Sequence, residues 1–441
     1  MKNAILDFTG IGLGPFNLGL ACLTQPVPQL KSIFLDRSPE FNWHSGMLLE
    51  NATLQTPFMG DLVTLADPTS PFTFLNYAKE QGKIYSFYTR EDFFLLRNEY
   101  NLYCRWAASK LDNLRFSHTV TDARYDEASR LYLLTVVDRA GEIKTVKTRK
   151  LVVGTGTSPS LPACCAPAAK HVTHSSQYLA DKKKIQARKS IVIIGSGQSA
   201  AEIYHDLLSE IDIHGYSVEW VTRSQRFFPL DLTKLNLEMT SPDYARYFHN
   251  LPEATRDRVL KEQSSLFKGI NASLLKEIYD LLYRKSLKGA VNTSLIPNSE
   301  LVELRHSPGN QAFALEFRHR EQDVTFSRTA DSVILATGYD YKEPEFLHGI
   351  NDRLLRDDQG RLDVSANYSV DRDRQDVFVQ NLDIHTHGFV APDLGMACLR
   401  NATILRAIAG HEVYPVEEET TFQTFDVTTL SNNLTSARVV A

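Results

Sequence analysis

Short apolar runs, each closed by a glycine-rich turn and followed by a helix-like stretch, occur in two places along this chain. The first starts with Ile5-Leu6-Asp7-Phe8-Thr9, which reads as a buried strand. It runs into Gly10-Ile11-Gly12-Leu13-Gly14-Pro15-Phe16-Asn17, after which residues 16–23 have the apolar density of a helix. A second strand, Ser32-Ile33-Phe34-Leu35, ends at Asp36. The same order returns at Ser190-Ile191-Val192-Ile193-Ile194, Gly195-Ser196-Gly197-Gln198-Ser199-Ala200 and Ser217-Val218-Glu219-Trp220-Val221-Thr222.

Two more strands end alike. Leu151-Val152-Val153 precedes Gly154-Thr155-Gly156-Thr157, and residues 331–335 precede Ala336-Thr337-Gly338-Tyr339. Such a pair is expected where a chain leaves one domain for an inserted one and later returns. The Pro/Ala/Cys stretch at 161–169 predicts the first linker. Over 231–294 the pattern turns helical, with charges facing apolar positions in residues 274–282.

These elements predict an α/β chain with two Rossmann-like dinucleotide-binding domains and a smaller, mainly helical substrate domain. The first domain is expected at 1–165 and 331–415, the second at 166–230 with return strands at 296–330. The helical domain falls at 231–295, and a polar, β-prone tail at 416–441. Residues 40–110, rich in aromatics and turns, are expected to wrap the first ligand.

A strand, glycine turn and helix let a pyrophosphate approach bare backbone at the positive end of the helix. Asp36 has the spacing of a ribose-binding carboxylate, which suits the ADP half of FAD as well as NAD. The corresponding strand of the second unit ends in Arg223 and Arg226, and guanidinium suits a 2'-phosphate, which predicts NADPH. Two nucleotides in one chain imply that electrons pass between them.

Composition narrows the class further. The 441 residues carry a formal net charge of −5, which makes no case for a nucleic-acid or anionic-membrane partner. No apolar run reaches bilayer-spanning length. The five cysteines (Cys22, Cys104, Cys164, Cys165, Cys398) form no CxxC pair, which argues against a flavin disulfide reductase. With no basic stretch and apolar core at the start of the chain, the expectation is a cytoplasmic protein.

The chain resembles the lysine/ornithine/diamine N-monooxygenases, flavin-dependent N-hydroxylating enzymes of siderophore biosynthesis. The resemblance rests on residues 10–18, Phe41-Asn42-Trp43-His44 with Gly46-Met47, residues 54–63 and 68–77, Gly195 to Ser199, Ala336 to Tyr339, and Thr386-His387-Gly388. It spans about residues 4–410, and Pro15 at the third-glycine position makes it fairly specific. It implies that NADPH reduces FAD, that dioxygen adds at flavin C4a, and that the hydroperoxide passes its distal oxygen to a primary amine. It also implies a homo-oligomer, specifically a tetramer.

Site residues follow from the same resemblance. FAD would meet Gly10, Gly12, Gly14, Pro15, Asp36, Trp43, His44 and Gln55, and NADPH would meet Gly195, Gly197, Gln198, Ser199, Arg223 and Arg226. Thr337, Gly338 and His387 complete the cofactor set. Gln55 falls where the family places an amide near the reactive face of the flavin. Asn236 and Asn271 match two asparagines that meet substrate and nicotinamide, so Gln55 and Asn236 are the expected catalytic pair. His385 and His387 form an HxH pair without an accompanying carboxylate or cysteine cluster, so no metal is expected.

One position departs from the amino-acid hydroxylases of this family. They carry a lysine, paired with the substrate α-carboxylate, where this chain has Gly60. A buried carboxylate without a cation is strongly disfavoured, so Gly60 predicts a diamine such as cadaverine or putrescine. Two alternatives stay open: a lysine or ornithine hydroxylase using another base such as Lys268 or Arg246, and a flavoprotein NADPH oxidase or electron-transfer protein.

Overall fold

The computed structural model describes residues 5–307, 309 and 312–428. Two parallel sheets organise it. In the first, parallel strands lie in the order Leu114–Arg115, Ser32–Leu35, Ile5–Ile11, Ile143–Val153. The far edge of Ile143–Val153 is divided. Its C-terminal end pairs with Val377–Val379, and its N-terminal part pairs antiparallel with Leu131–Asp138, which continues to His118–Asp126. Where these central strands are buried on both faces they are mainly apolar, as in Leu151-Val152-Val153. Phe8, Phe34, Leu151, Val152 and Phe378 are all fully buried there.

The second sheet is wholly parallel, in the order Thr173–His174, Ser332–Leu335, Ser190–Ile194, Ser217–Val221, Thr293–Ile296. Segment 296–330 adds a separate three-stranded antiparallel sheet, Ser299–Ser307, Ala312–His319 and Val324–Ala330. The two parallel sheets and their glycine turns are the fold expected of a chain binding two dinucleotides.

Two boundaries differ from the sequence reading. Ser332–Leu335, expected to re-enter the first domain, pairs with Ser190–Ile194 in the second sheet, Ile334 opposite Ile193. The first sheet is regained only at Val377–Val379. Residues 231–295 also do not form one helical unit. Helix Ala272–Ser286 packs on helix Gln198–His214 through Ile278. Helices Pro242–Asn250 and Glu253–Glu262 gather instead around Phe389, with Tyr244 and Phe248 buried against it. Apolar periodicity fixes which face of a helix is buried, but not against what.

The β-prone reading of the tail gives no strand at 416–428, and the rest of that segment lies outside the described residues. Among the described residues, no helix is long and apolar enough to cross a membrane.

Candidate active site

Strand Ile5–Ile11 delivers its glycine turn to the C-terminal edge of the first sheet. Gly12 has φ +85°, and a Cβ there would stand 2.4 Å from the Gly154 carbonyl oxygen. Glycine is therefore required for loop 10–14 to close on loop 154–157. Gly14 caps helix Pro15–Thr24, and no protein atom lies within 4 Å of its Cβ position. That helix N-terminus stands open, with the unsatisfied N–H groups an anion needs.

Asn17 supports the turn from beneath, its Nδ2 donating to the Gly12 carbonyl at 2.7 Å. Asp36 accepts from the Leu13 N–H (2.6 Å) and the Ser38 N–H (2.6 Å). The carboxylate therefore holds the turn itself and keeps roughly two of its four lone-pair sites for a ribose.

The second turn is built the same way. A Cβ on Gly195 would lie 2.3 Å from the Ala336 oxygen, and Trp220 Nε1 donates to the Gly195 carbonyl at 2.8 Å. Gly197 caps helix Gln198–His214 with open space beyond, and Ser199 lies half-buried in its first turn. Arg223 and Arg226 are exposed at the adjacent strand exit, and among the described residues no ion pair or hydrogen bond engages either guanidinium. Both ends of the Gln198 side-chain amide are occupied within the protein, which leaves its backbone N–H at the helix start for a ligand. Its Nε2 donates to Glu202 (2.9 Å) and its Oε1 accepts from the Asn271 N–H (2.8 Å).

The two Thr-Gly loops meet between the sheets, where Tyr339–Asp340 pairs antiparallel with Ser158–Pro159. Thr337 Oγ1 donates to the Ser160 carbonyl, and the Gly338 carbonyl accepts from the Ser160 N–H at 2.9 Å. Trp43 is fixed by its N–H on Asn101 Oδ1 (2.9 Å) and by edge contacts to Tyr100 and His44. His44 borders the cleft, 6.1 Å from the Tyr339 ring. Partial desolvation of the ring packed on Trp43, and then the Arg97 charge, lower its pKa to about 4. Gln55 Nε2 is buried with no partner, a costly state for an amide unless a bound group accepts from it. This orphan donor, the two open helix N-termini and the two unpaired arginines all fit a pair of bound dinucleotides.

The substrate-side residues are less uniform. Gly60 is closed in, since a Cβ would stand 2.3 Å from Thr56 Cγ2 and 3.0 Å from Gly395 Cα. A side chain there would require Thr56 to turn away and backbone 395 to give by a few tenths of an ångström. Asn236 is half-buried in the short helix Lys234–Leu237. Asn271 is the N-cap of helix Ala272–Ser286, its Oδ1 accepting from the Ser273 N–H and hydroxyl at 2.9 Å each. Its acceptor therefore serves the helix first.

His387 is enclosed, stacked on Tyr368 (centroids 4.3 Å) and beside His249 (4.9 Å), with Nε2 unpartnered. Burial keeps it neutral by pulling its pKa well down. The ring is therefore enclosed by aromatic neighbours, with one nitrogen left without a protein partner. Among the described residues one acidic group, Asp371, Asp373 and Asp376, is close enough to share a cation. Asp371 already accepts the Val377, Asp376 and Asp373 N–H groups.

Several residues that build the site carry no local signal. Arg97 makes a bidentate pair with Glu202 (2.8 and 2.9 Å) and donates to the Met47 carbonyl (2.7 Å). It thereby ties the Trp43–His44 loop to the second fingerprint helix. Gln380 and Asn401 join helices Pro15–Thr24 and Ala397–Ala409, through Gln380 Nε2 to Asn401 Oδ1 (2.8 Å) and Asn401 Nδ2 to the Phe16 carbonyl (3.1 Å). Asn17 lay inside a fingerprint marked by its sequence, and Arg97 only within the broad 40–110 segment.

Comparison with known proteins agrees with this geometry. The family described as L-lysine 6-monooxygenase/L-ornithine 5-monooxygenase matches residues 4–341. A putrescine N-hydroxylase of Shewanella oneidensis is 50% identical over 96% of this chain and 85% of its own length. A putrescine N-hydroxylase of Acinetobacter baumannii is 48% identical over 96% and 94%. The crystal structure of FAD-bound DfoA, a cadaverine monooxygenase of desferrioxamine biosynthesis from Erwinia amylovora, superposes with a TM-score of 0.94 at 53% identity. It covers 96% of this chain and 99% of that one. FAD and NADPH are the cofactors of this enzyme, and the chain belongs to the L-lysine 6-monooxygenase/L-ornithine 5-monooxygenase family of flavin-dependent N-hydroxylating monooxygenases.

Proposed function

We propose that this enzyme N-hydroxylates one primary amine of an aliphatic diamine, putrescine or cadaverine, toward a hydroxamate siderophore. Gly60 carries the substrate class. It offers no cation to a substrate carboxylate, and a Cβ there would crowd Thr56 and Gly395. The two alternative bases do not replace it. Arg246 is paired with Asp243 at 2.6 Å, and Lys268 is exposed over the Phe267 ring. The putrescine and cadaverine hydroxylases among its relatives support the same class.

FAD belongs at the first fingerprint, with its pyrophosphate on the open N-terminus beyond Gly14 and its ribose at Asp36. NADPH belongs at the second, over Gly197, with its 2'-phosphate at Arg223 and Arg226. Bound FAD, reduced by NADPH, supplies the oxygen chemistry: one atom of dioxygen goes to the amine and the other leaves as water.

The chain must present that amine without its proton, because an ammonium has no lone pair and a free alkylamine has a pKa of about 10.4. Gln55 and Asn236 are neutral amides whose oxygens accept an amine N–H and leave the nitrogen lone pair free. His44, lowered to about 4, is uncharged at neutral pH. The Arg97 charge is taken up by Glu202. Neither His44 nor Arg97 thus adds a free positive charge that would repel the substrate. The tetramer implied by the resemblance and the cytoplasmic location expected from the sequence complete this reading, and five free thiols are in keeping with a reducing compartment.

The test is stoichiometric. Hydroxylamine formed per NADPH oxidised should approach one with putrescine or cadaverine. NADPH oxidation that yields only hydrogen peroxide, with or without amine, would establish the oxidase alternative instead.

A further inference from the structure

We infer that the C-terminal segment 420–425 is a strap that positions Asn236, acting through Glu238 and Asp243. The inference rests on the substrate role proposed above for Asn236.

Asn236 sits in a single helical turn, Lys234–Leu237, with Leu235 61% and Leu237 37% exposed. A turn this short has no stability of its own, because helix nucleation costs more than one turn returns. Something outside it must fix its geometry. Beyond its immediate chain neighbours, the turn and its flank receive donors from the C-terminal segment. Glu238 accepts from the Phe422 N–H (2.9 Å), the Gln423 N–H (3.0 Å) and Gln423 Nε2 (3.0 Å). The same Gln423 Nε2 donates to the Leu235 carbonyl at 2.6 Å, one residue before Asn236.

Further along, Asp243 Oδ2 accepts from the Thr420 N–H (2.7 Å) and hydroxyl (2.6 Å). Phe425 closes the strap with its ring edge-on to buried Tyr244, centroids 5.0 Å apart. Hydrogen bonds to an ionised carboxylate are the stronger kind, and here two carboxylates anchor the start and the middle of one segment.

The direction of grip matters. Lys234, Leu237 and Glu238 share one face of the turn, as positions i, i+3 and i+4 do. They line a cavity closed on its other side by Pro415, Val416, Glu417, Thr420 and Thr421. Asn236 does not line that cavity. The strap therefore holds one face of the turn and leaves Asn236 on another, which suits a positioning element.

The experiment compares full-length Glu238→Ala, Glu238→Gln, Gln423→Ala, Phe422→Ala and Asn236→Ala with wild type. It reads amide hydrogen exchange over 234–243, amine KM, and hydroxylamine formed per NADPH. Glu238→Ala and Gln423→Ala should speed exchange in that segment at least tenfold, raise KM for putrescine and cadaverine several-fold and lower the hydroxylamine yield. NADPH-driven flavin reduction without amine should be unchanged. Glu238→Gln, which keeps an acceptor oxygen, should recover part of the loss. Phe422→Ala should resemble wild type, since that ring is 98% exposed and only its backbone N–H is used.

Unchanged exchange in Glu238→Ala overturns the strap. Faster exchange with unchanged KM and yield overturns its positioning role. If Asn236→Ala alone leaves KM and yield intact, the substrate role of Asn236 fails, and the exchange data still decide whether the strap exists.

Discussion

Arg97 and Glu202 form a bidentate ion pair between the first and second nucleotide-binding regions, with side chains only 12% and 5% exposed. Arg97 also reaches the Met47 carbonyl, and Glu202 also receives Gln198 Nε2. One ion pair therefore aligns the loop carrying Trp43 and His44 with the helix that caps the second fingerprint. Breaking such a pair from one side leaves a buried uncompensated charge, at a cost of about 3–5 kcal/mol. Arg97→Met and Glu202→Leu should each destabilise by roughly that amount, and the double variant by less than the sum. Denaturant unfolding checks this. Additive losses would show that the two charges do not act on one another.

Acid should destabilise the protein at a higher pH than carboxylate titration explains. His174, His249, His385 and His387 all have pKa values lowered first by burial. In the unfolded chain they return to about 6.5, so below that pH the unfolded state binds more protons. Their contribution is complete above about pH 6.5 and is lost as pH falls toward the folded values. Buried Asp61 and Asp393 have raised pKa values and act in the opposite sense, at lower pH. The melting temperature should therefore fall between pH 7 and 5, and His387→Gln should flatten that slope. A melting temperature constant over this range contradicts the assignment.

Gly12 and Gly14 should fail for different reasons. Gly12→Val puts a side chain at φ +85° into the Gly154 backbone, so folded protein itself should be lost. Gly14→Val meets no protein atom and should cost about 1 kcal/mol as a poorer cap, yet lose FAD. Gly197→Val should keep FAD and be reduced slowly by NADPH. Flavin absorbance and stopped-flow reduction distinguish the three, and identical phenotypes would undo the nucleotide assignment.

Arg223→Ala with Arg226→Ala should erode the preference for NADPH over NADH. One lost guanidinium–phosphate bond corresponds to roughly 1.5–3 kcal/mol, or about ten- to a hundredfold in affinity. Salt should reduce the wild-type preference in the same direction, because both groups are exposed. A preference indifferent to both changes would remove the 2'-phosphate from this strand exit.

What the sequence disclosed was local. Strand, glycine turn, helix and the residue ending the next strand all lie within a short stretch, so both fingerprints, Asp36 and the two arginines could be read directly. Ser332–Leu335 misleads because it shares its Thr-Gly ending with Leu151–Val153, and only strand pairing separates them. Asn271 carries a local clue in its spacing to Ser273, the pattern of a helix cap. Arg97 with Glu202, and Gly60 with Gly395, are contacts between distant parts of the chain, and neither member advertises the other. The Gly60–Gly395 contact also bears on mutation. Gly60→Lys crowds Thr56 and backbone 395, so it should lower stability and gain little lysine hydroxylation.

Substrate preference tests the central claim most directly. Hydroxylamine formation should be measured with putrescine, cadaverine, L-ornithine and L-lysine side by side, at equal enzyme and saturating NADPH. Product must be the readout, since idle peroxide release also consumes NADPH. The expected result is efficient hydroxylation of at least one diamine and poor turnover of both amino acids. L-lysine or L-ornithine outperforming both diamines would contradict the reading of Gly60 and the substrate class built on it.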